Sequence, residues 1–170
     1  DSVASRGLGD VYKRQMDNYF CTPETAEIIR HRIDKNLSIK EIKYHQRIKF
    51  NQVYVTFYPA GHVLGSAQIL IEFKDNRTII TGDYKRQPDS TCKAFEPVQC
   101  NTFISEATFA NPKFKWGSFD EEIKNIHKWF SENKKKRINS ILFGYSLGKS
   151  QRLINAPVSY THLRAHETLR

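Results

Sequence analysis

The sequence predicts a protein of the α/β class, on three observations. The residues from Val53 to Tyr58 and from Gln68 to Phe73 alternate in polarity, which is typical of strands with one face in a core. Helix-capping residues precede apolar residues at helical spacing at two places, after Thr22 and after Ser118. In the second half, strand-like and helix-like segments alternate along the chain, which is the pattern of an α/β unit.

Local signals predict each element of the first half. Thr22 is a helix N-cap and Pro23 takes the first helical position, so a helix begins there. The charged stretch 39–49 predicts a short strand and a loop. A polar turn at 74–77 separates the strand that begins at Gln68 from a third strand, Thr78 to Thr81.

The second half opens with irregular chain around two prolines. Ser118 and Glu121 then form a capping box at the start of a helix. The elements are predicted in this order: a loop and irregular chain at 85–100, a strand at 102–105, a helix after Ser118, a strand at 138–145, and a helix from Ser146 toward Ile154.

Composition limits the class of protein and its partners. The 170 residues suffice for one domain or for pieces of two, and no apolar run is long enough to cross a membrane. Three cysteines without C-x-x-C spacing predict neither a zinc finger nor a disulfide framework, and they indicate a reducing cytoplasm. A net charge of +9 favours a polyanionic partner such as nucleic acid over ordinary surface charge.

The two ends of the sequence differ from the middle. Residues 1–15 and 157–170 carry no periodicity that continues inward, and both resemble translated sequencing-adapter sequence. We therefore expect them to be non-native and exclude His162 and His166 as metal ligands, despite their i, i+4 spacing. The middle keeps an excess of basic residues without them.

One histidine and one aspartate follow predicted strands on glycine-rich loops. His62 comes after the strand that begins at Val53, and Asp83 comes after the strand that ends at Thr81. Imidazole and carboxylate groups are ligands for zinc or manganese, and a rigid sheet can hold them in place. Two other histidines, His31 and His45, are predicted to be surface residues, the second without a nearby partner.

Four motifs in order resemble those of one nuclease family. PAGHVLGSAQ and TGDYK resemble the third and fourth metal-binding motifs of metallo-β-lactamase-fold nucleases. ISEATFANP resembles the acid-bearing motif that opens the β-CASP insert of that family, and YSLGKSQRL a strand-to-helix turn within it. The resemblance covers roughly 16–156, and with FEPVQC and CTPETAEIIRHR it is strongest to the bacterial exonucleases associated with DNA ligase.

The resemblance implies roles for three residues. His62 would bind one of two divalent metals, zinc or manganese, and Asp83 would bridge both. Glu106 would lie beside the metals and orient a histidine, so Asp83 and Glu106 are the candidate catalytic residues. Since each of the three follows a strand, we expect them to converge at one end of one sheet, with His62 and Asp83 within about 8 Å.

The family's principal metal motif, His-x-His-x-Asp-His, does not occur in the chain. The resemblance therefore implies an internal fragment: part of a metallo-β-lactamase αββα sandwich at 16–110 and the start of an α/β β-CASP domain at 111–156. As a fragment, the isolated chain is predicted to be inactive.

The segment Gly144 to Ser150 only superficially matches a nucleotide-binding loop. Three residues separate its two glycines where a P-loop needs four, so nucleotide hydrolysis is excluded. Free backbone N–H groups at the start of the helix could still hold a nucleic-acid phosphate, together with Ser146, Lys149 and Arg152.

These observations predict a metal-dependent nuclease, in its exonuclease form, that hydrolyses phosphodiester bonds of DNA or RNA. DNA ligase is a partner by resemblance, and no membrane is involved. Two alternatives stay open: a small-molecule, thioester-type hydrolase of the same superfamily, and a non-catalytic nucleic-acid-binding module. Glu106 and the α/β unit after it favour the nuclease over the small-molecule hydrolase.

Overall fold

The computed structural model describes residues 19–107, 109–145 and 147–156. The two adapter-like ends, with His162 and His166, and the candidate phosphate ligand Ser146 lie outside these ranges. The elements in chain order are β1 (Tyr19–Cys21), α1 (Pro23–Arg32), β2 (Ile39–Glu41), β3 (Arg47–Phe50), β4 (Val53–Pro59), β5 (Ala67–Phe73), β6 (Asn76–Ile80), β7 (Thr102–Ile104), α2 (Phe119–Lys135) and α3 (Lys149–Asn155).

The main sheet has five strands in the order β3-β4-β5-β6-β7. The first four strands pair antiparallel with their neighbours, and β7 joins β6 in parallel. Since β5 runs opposite to both β4 and β6, the strands β4, β6 and β7 all run in one direction. Their carboxyl ends therefore meet at one edge of the sheet, and His62, Asp83 and Glu106 each follow one of these ends.

The turn between β5 and β6 is tighter than the sequence predicted. Phe73 pairs with Asn76, so only Lys74 and Asp75 form the turn, with Lys74 in the left-handed region at φ 52°. The prediction of a turn at 74–77 is wrong because the polar residues continue the ladder, where Arg77 pairs with Glu72. Polar side chains suit the end of a strand that faces solvent.

The small parallel pair of β1 and β2 is joined through α1, which begins where the sequence predicted. The hydroxyl of Thr22 accepts the N–H of Thr25 at 3.3 Å, and Pro23 stands in the first turn. Both threonine hydroxyls also donate to the carbonyl of Gly65, at 2.8 Å and 3.0 Å. The helix start is thereby fixed against the turn that follows β4.

The core of the main sheet lies along β4 to β6, where Leu70 and Ile79 are fully buried. Thr56 and Phe57 are both buried, so the carboxyl end of β4 is covered on both faces, whereas the sequence predicted one. Gln68 is buried as well, and its amide donates to the carbonyls of Pro59 and Glu96. A buried polar group with its partners satisfied fixes the loop 92–100 against the sheet.

The second half follows the prediction in one helix and departs from it elsewhere. The capping box of Ser118 and Glu121 starts α2 as predicted. The predicted strand at 138–145 is absent, and the side chain of Phe143 is 89% exposed. A strand needs a neighbour for its N–H and C=O groups, and none of the described strands lies beside this stretch. The last helix begins at Lys149, after Gly148 at φ 88°.

The mixed α/β class is confirmed, since a sheet and helices share the described chain. The four-layer αββα arrangement and the division at residue 110 remain predictions. None of the helices within the described ranges has the length and apolar character needed to span a bilayer.

Replacing Thr22 by Ala should lower the free energy of unfolding by about 1–3 kcal/mol, because one hydroxyl caps α1 and also donates to a buried carbonyl. Thr22→Ser keeps both hydrogen bonds and is the matched control. Urea denaturation followed by far-UV circular dichroism measures both variants. A Thr22→Ala protein as stable as the parent chain would contradict this role.

Candidate metal centre

A tight turn after β4 presents His62. The N–H of Ala60 donates to the carbonyl of Ser66, and the hydroxyl of Ser66 accepts the N–H groups of His62 and Val63 at 3.1 Å and 3.2 Å. Gly61 has φ 70°, a conformation that side-chain-bearing residues rarely adopt. The backbone of His62 is therefore fixed by hydrogen bonds within its own turn.

Tyr44 supports this turn from the outside. Its hydroxyl donates to the carbonyl of Ser66 at 2.9 Å. Burial, followed by the charges of Glu24 and Cys92, raises the pKa of Tyr44 to about 12. The phenol is therefore protonated at neutral pH and available as a hydrogen-bond donor.

The loop after β6 presents Asp83 and is joined to the histidine turn through the backbone. The N–H of Lys85 donates to the carbonyl of Ala60 at 3.0 Å. The two loops pass so closely that a Cβ at Gly61 would lie 2.4 Å from the carbonyl oxygen of Lys85. Glycine at 61 is therefore required both by its backbone conformation and by this approach.

These loops bring His62 and Asp83 together. The Nε2 atom of His62 and the Oδ2 atom of Asp83 are 3.7 Å apart, which confirms the predicted proximity. The separation is too long for a hydrogen bond. It is close to the value of about 3.4 Å expected for two ligands of one tetrahedral zinc ion, each about 2.1 Å from the metal.

The His62–Asp83 pair is open to solvent at the border of a cleft. The two side chains are 44% and 67% exposed, and they border a cleft of about 450 Å³. An imidazole nitrogen and a carboxylate oxygen are donors that zinc and manganese accept. The donor set and its spacing therefore fit the metal that the sequence implied.

Within the described ranges, no group of three or more histidine, cysteine, aspartate or glutamate side chains is arranged to hold a metal ion. Cys21 lines the same cleft, but burial and then the Glu41 carboxylate raise the pKa of its thiol. A neutral thiol is a poor metal ligand. The described residues thus bring together two candidate ligands, His62 and Asp83.

Glu106 lies just beyond the end of β7, at the same sheet edge as His62 and Asp83. The N–H of Thr81 donates to the carbonyl of Ile104, which extends the pairing of β6 and β7 toward this edge. The side chain of Glu106 is exposed. Its predicted role in orienting a histidine remains a prediction.

The predicted phosphate contacts have different environments. Lys149 is exposed, with its ammonium 4.8 Å from the ring centre of Tyr145. The guanidinium of Arg152 lies over the ring of Phe119 and against Asp89, so it is already engaged. The prediction of free N–H groups at this helix start is wrong for Ser150, whose N–H donates to the carbonyl of Tyr145 at 3.1 Å.

The histidines predicted to be surface residues are exposed, but one has a partner. His45 Nε2 lies 2.8 Å from an oxygen of Glu96, and its ring packs edge-on against Tyr58. The expectation that His45 has no nearby partner is therefore wrong. The sequence could not show it, because Glu96 comes from the irregular loop that Gln68 holds against the sheet.

Asp89 is a buried acid that the sequence analysis did not single out. Its side chain is 2% exposed and accepts hydrogen bonds from the N–H and hydroxyl of Thr91 and from the ammonium of Lys85. Arg152 Nε approaches to 2.7 Å, but its N–H does not point at the oxygen, so the contact is an ion pair. Asp89 thereby joins α3 to the loop that carries Asp83.

The pKa of Asp89 lies below its ordinary value. Burial raises the pKa, but the hydrogen bonds from Thr91 and Lys85 and the charge of Lys85 together lower it more. Of these hydrogen bonds, only the one from the N–H of Thr91 is predictable from the sequence, because an aspartate often accepts the N–H two residues later in an Asx-turn. Ser66 was also missed, although a serine four residues after a histidine in a glycine turn is a plausible acceptor for loop N–H groups.

Comparison with known proteins gives relatives of consistent type. A probable DNA ligase of Opitutus terrae is 30% identical over 140 residues, which is 81% of this chain and 14% of that protein. Subunit 3 of the cleavage and polyadenylation specificity factor of Dictyostelium discoideum is 36% identical over 80 residues. The endoribonuclease YSH1 of Saccharomyces cerevisiae is 37% identical over 79 residues. No family model matches the chain.

These relatives show that the chain is related to nucleases. The family is the one that its motifs resemble, the β-CASP nucleases of the metallo-β-lactamase fold. The matched segments are 45% of the chain for each of the last two proteins, and the chain spans only 10% of either.

Replacing Asp89 by Asn should destabilise the chain by about 3 kcal/mol, because it leaves Lys85 and Arg152 without their buried counter-charge. Because the folded-state pKa of Asp89 lies below the unfolded value of about 3.8, its ionised form stabilises the fold above that pH. This contribution is lost as the pH falls through the folded-state pKa.

Urea denaturation at a series of pH values between 2 and 7 measures the effect. The parent chain should lose more stability than Asp89→Asn as the pH drops below about 4. Asp75→Asn, at the exposed hairpin, is the control. Parallel pH profiles for the parent chain and Asp89→Asn would contradict the proposed ion cluster.

Proposed function

We propose that His62 and Asp83 are ligands of the divalent-metal centre of a β-CASP nuclease that hydrolyses phosphodiester bonds of DNA or RNA. The observation that carries the proposal is the 3.7 Å separation of His62 Nε2 and Asp83 Oδ2 at an open cleft. Both residues sit on loops that a backbone hydrogen bond joins, so the fold keeps the two side chains near each other.

Zinc is the proposed metal and manganese the alternative, with two ions in the complete site. When bound, the metals would lower the pKa of a water and stabilise negative charge at phosphorus. His62 holds one nitrogen ligand in place, and Asp83 offers two carboxylate oxygens that can be shared between ions. The further ligands would come from protein outside these residues, and the relatives are longer than this chain.

Glu106 is proposed as a positioning residue for a metal-ligating histidine. It follows β7, the parallel neighbour of the strand that leads to Asp83, so it lies at the same sheet edge as the candidate ligands. Lys149 is proposed as a phosphate contact, since it is exposed near the cleft-lining Leu147. Arg152 instead supports this segment through Asp89.

The mode of cleavage has two candidates. An exonuclease that works with a DNA ligase is supported by the 140-residue match to the probable DNA ligase of Opitutus terrae. Endonucleolytic cleavage of RNA is supported by the names of the endoribonuclease relatives. We favour the exonuclease and propose that it acts in the cytoplasm. In this proposal, residues 16–110 belong to the metal-binding domain, and residues 111–156 form the start of the β-CASP domain.

The isolated 170-residue chain should retain well under one zinc per molecule after dialysis and gel filtration, because catalytic zinc normally has three protein ligands. Zinc added in excess should bind weakly, and His62→Ala should abolish that binding while His31→Ala, on the exposed face of α1, leaves it unchanged. Metal analysis of the eluted protein and a zinc titration measure this. One tightly held zinc per chain would contradict the ligand count.

A longer protein should cut nucleic acid in a metal-dependent way. Such a protein can be the product of the extended reading frame. It can also be a chimera in which residues 16–156 replace the aligned segment of the Opitutus protein. Asp83→Asn should reduce cleavage to the level seen with chelator, because it removes a charged metal ligand. Glu106→Gln should cost about 10–100-fold, as expected for a residue that acts through a ligand.

Release of products from end-labelled single-stranded DNA and RNA measures this activity. Mononucleotide products indicate an exonuclease, and internal fragments indicate an endonuclease. Asp75→Asn, at the opposite end of β6 from Asp83, is the matched control and should cut normally. Cleavage that survives the Asp83 change would refute the assignment, as would cleavage of either substrate by the isolated chain.

A further inference from the structure

Three aromatic side chains cluster just after the candidate active-site edge. Phe109, Phe114 and Trp116 contact one another, with ring centres 5.4 Å, 5.5 Å and 6.5 Å apart. Phe109 stands edge-on to the other two, whose planes are parallel within 6°. The three rings therefore form an organised group with edge-to-face and parallel geometry.

The cluster is open to solvent. Trp116 is 73% exposed, Phe109 59% and Phe114 39%, so the rings do not form a buried core. Two hydrogen bonds order the backbone between the rings. The side-chain oxygen of Asn111 accepts the N–H of Lys113 at 3.0 Å, and the backbone carbonyl of Asn111 accepts the N–H of Phe114. Ordered aromatic faces held out into water indicate a binding surface rather than packing.

The charged residues within the segment 109–117 indicate the chemistry of the partner, although the carboxylates of Glu121 and Glu122 lie near Gly117. Lys113 and Lys115 alternate with the aromatic residues, and no acid occurs between Phe109 and Gly117. Both lysines are exposed, and the ammonium of Lys113 lies 5.1 Å from the ring centre of Phe114. Aromatic faces for stacking combined with cations for phosphates are the recognition chemistry of single-stranded nucleic acid.

The cluster is also close to the proposed catalytic edge. Phe109 is three residues after Glu106, and three residues of chain span at most about 11 Å. A nucleic-acid strand held on the rings would therefore lie within about 11 Å of Glu106, at the sheet edge that His62 and Asp83 share. The bases of a duplex already stack on one another, so only unpaired bases offer their faces to protein rings.

We propose that Phe109, Phe114 and Trp116 form a stacking platform for unpaired bases of single-stranded DNA or RNA, and that Lys113 and Lys115 contact its phosphates. The inference rests on the proposed function in taking the bound strand as the substrate. Binding to the platform itself requires no metal, so it can be tested apart from cleavage.

The test is equilibrium binding of the 170-residue chain to a fluorescein-labelled oligo-dT of fifteen nucleotides, in chelator, by fluorescence anisotropy. Trp116→Ala should weaken binding between about fivefold and a hundredfold, the range for loss of one stacked base. Trp116→Phe should restore most of the affinity, because it keeps a ring. Trp129→Phe, on the partly exposed face of α2, is the matched control and should leave binding unchanged.

Two further arms separate stacking from charge and from misfolding. An abasic strand of equal length should bind the parent chain at least as weakly as oligo-dT binds Trp116→Ala, because it can stack on none of the three rings. Lys113→Gln should weaken binding to both strands and reduce the slope of log affinity against log salt by about one. In a Trp129→Phe background, oligo-dT should quench the fluorescence of Trp116.

Equal affinity of Trp116→Ala and the parent chain would overturn the proposal, as would equal affinity for abasic and normal strands. No binding of any oligonucleotide would also overturn it and point to a protein partner for the rings. Preference for a duplex of the same length would refute the single-strand specificity. These results concern binding without metal, so they differ from a failure of metal-dependent cleavage, which would refute the proposed function instead.

Discussion

The backbone contact between two glycine loops determines the geometry of the candidate site. The N–H of Lys85 donates to the carbonyl of Ala60. The loops are so close that a side chain at position 61 would collide with the carbonyl of Lys85, so this position requires glycine. Since His62 and Asp83 are each two residues from this contact, it brings the loops that carry their side chains close together. The two candidate metal ligands are thus carried by neighbouring loops that main-chain contacts hold together.

Further polar contacts hold each loop from behind. Thr22 and Thr25 anchor Gly65 to the start of α1, and Ser66 closes the histidine turn. Asp89 likewise holds the loop that carries Asp83, because it forms ion pairs with Lys85 and with Arg152 on α3. The last helix is therefore coupled to the Asp83 loop by charge, while the close approach of Gly148 to Val63 couples it to the histidine turn by packing.

The sequence predicted the elements whose signals are local. The N-cap at Thr22, the capping box at Ser118 and the strand that begins at Val53 were predictable because each depends on residues within one turn or one strand. Glycine-flanked ligands after strands were enough to bring His62 and Asp83 to one edge. What failed needed partners distant in sequence: the pairing of His45 with Glu96, and the engagement of Arg152 by Asp89.

The stretch 138–145 shows why local signals are insufficient. Its β-branched and aromatic residues favour a strand, yet Ile141 and Phe143 are exposed and no described strand pairs with them. A strand is stabilised by the ladder it joins and not by its own propensity. The rings at 109–116 are exposed as well, but backbone N–H groups of Lys113 and Phe114 donate to Asn111, and mutual ring contacts add to the local order. The ring cluster is therefore exposed but locally ordered, as a binding surface would be, whereas the stretch 138–145 is exposed and has no pairing partner among the described strands.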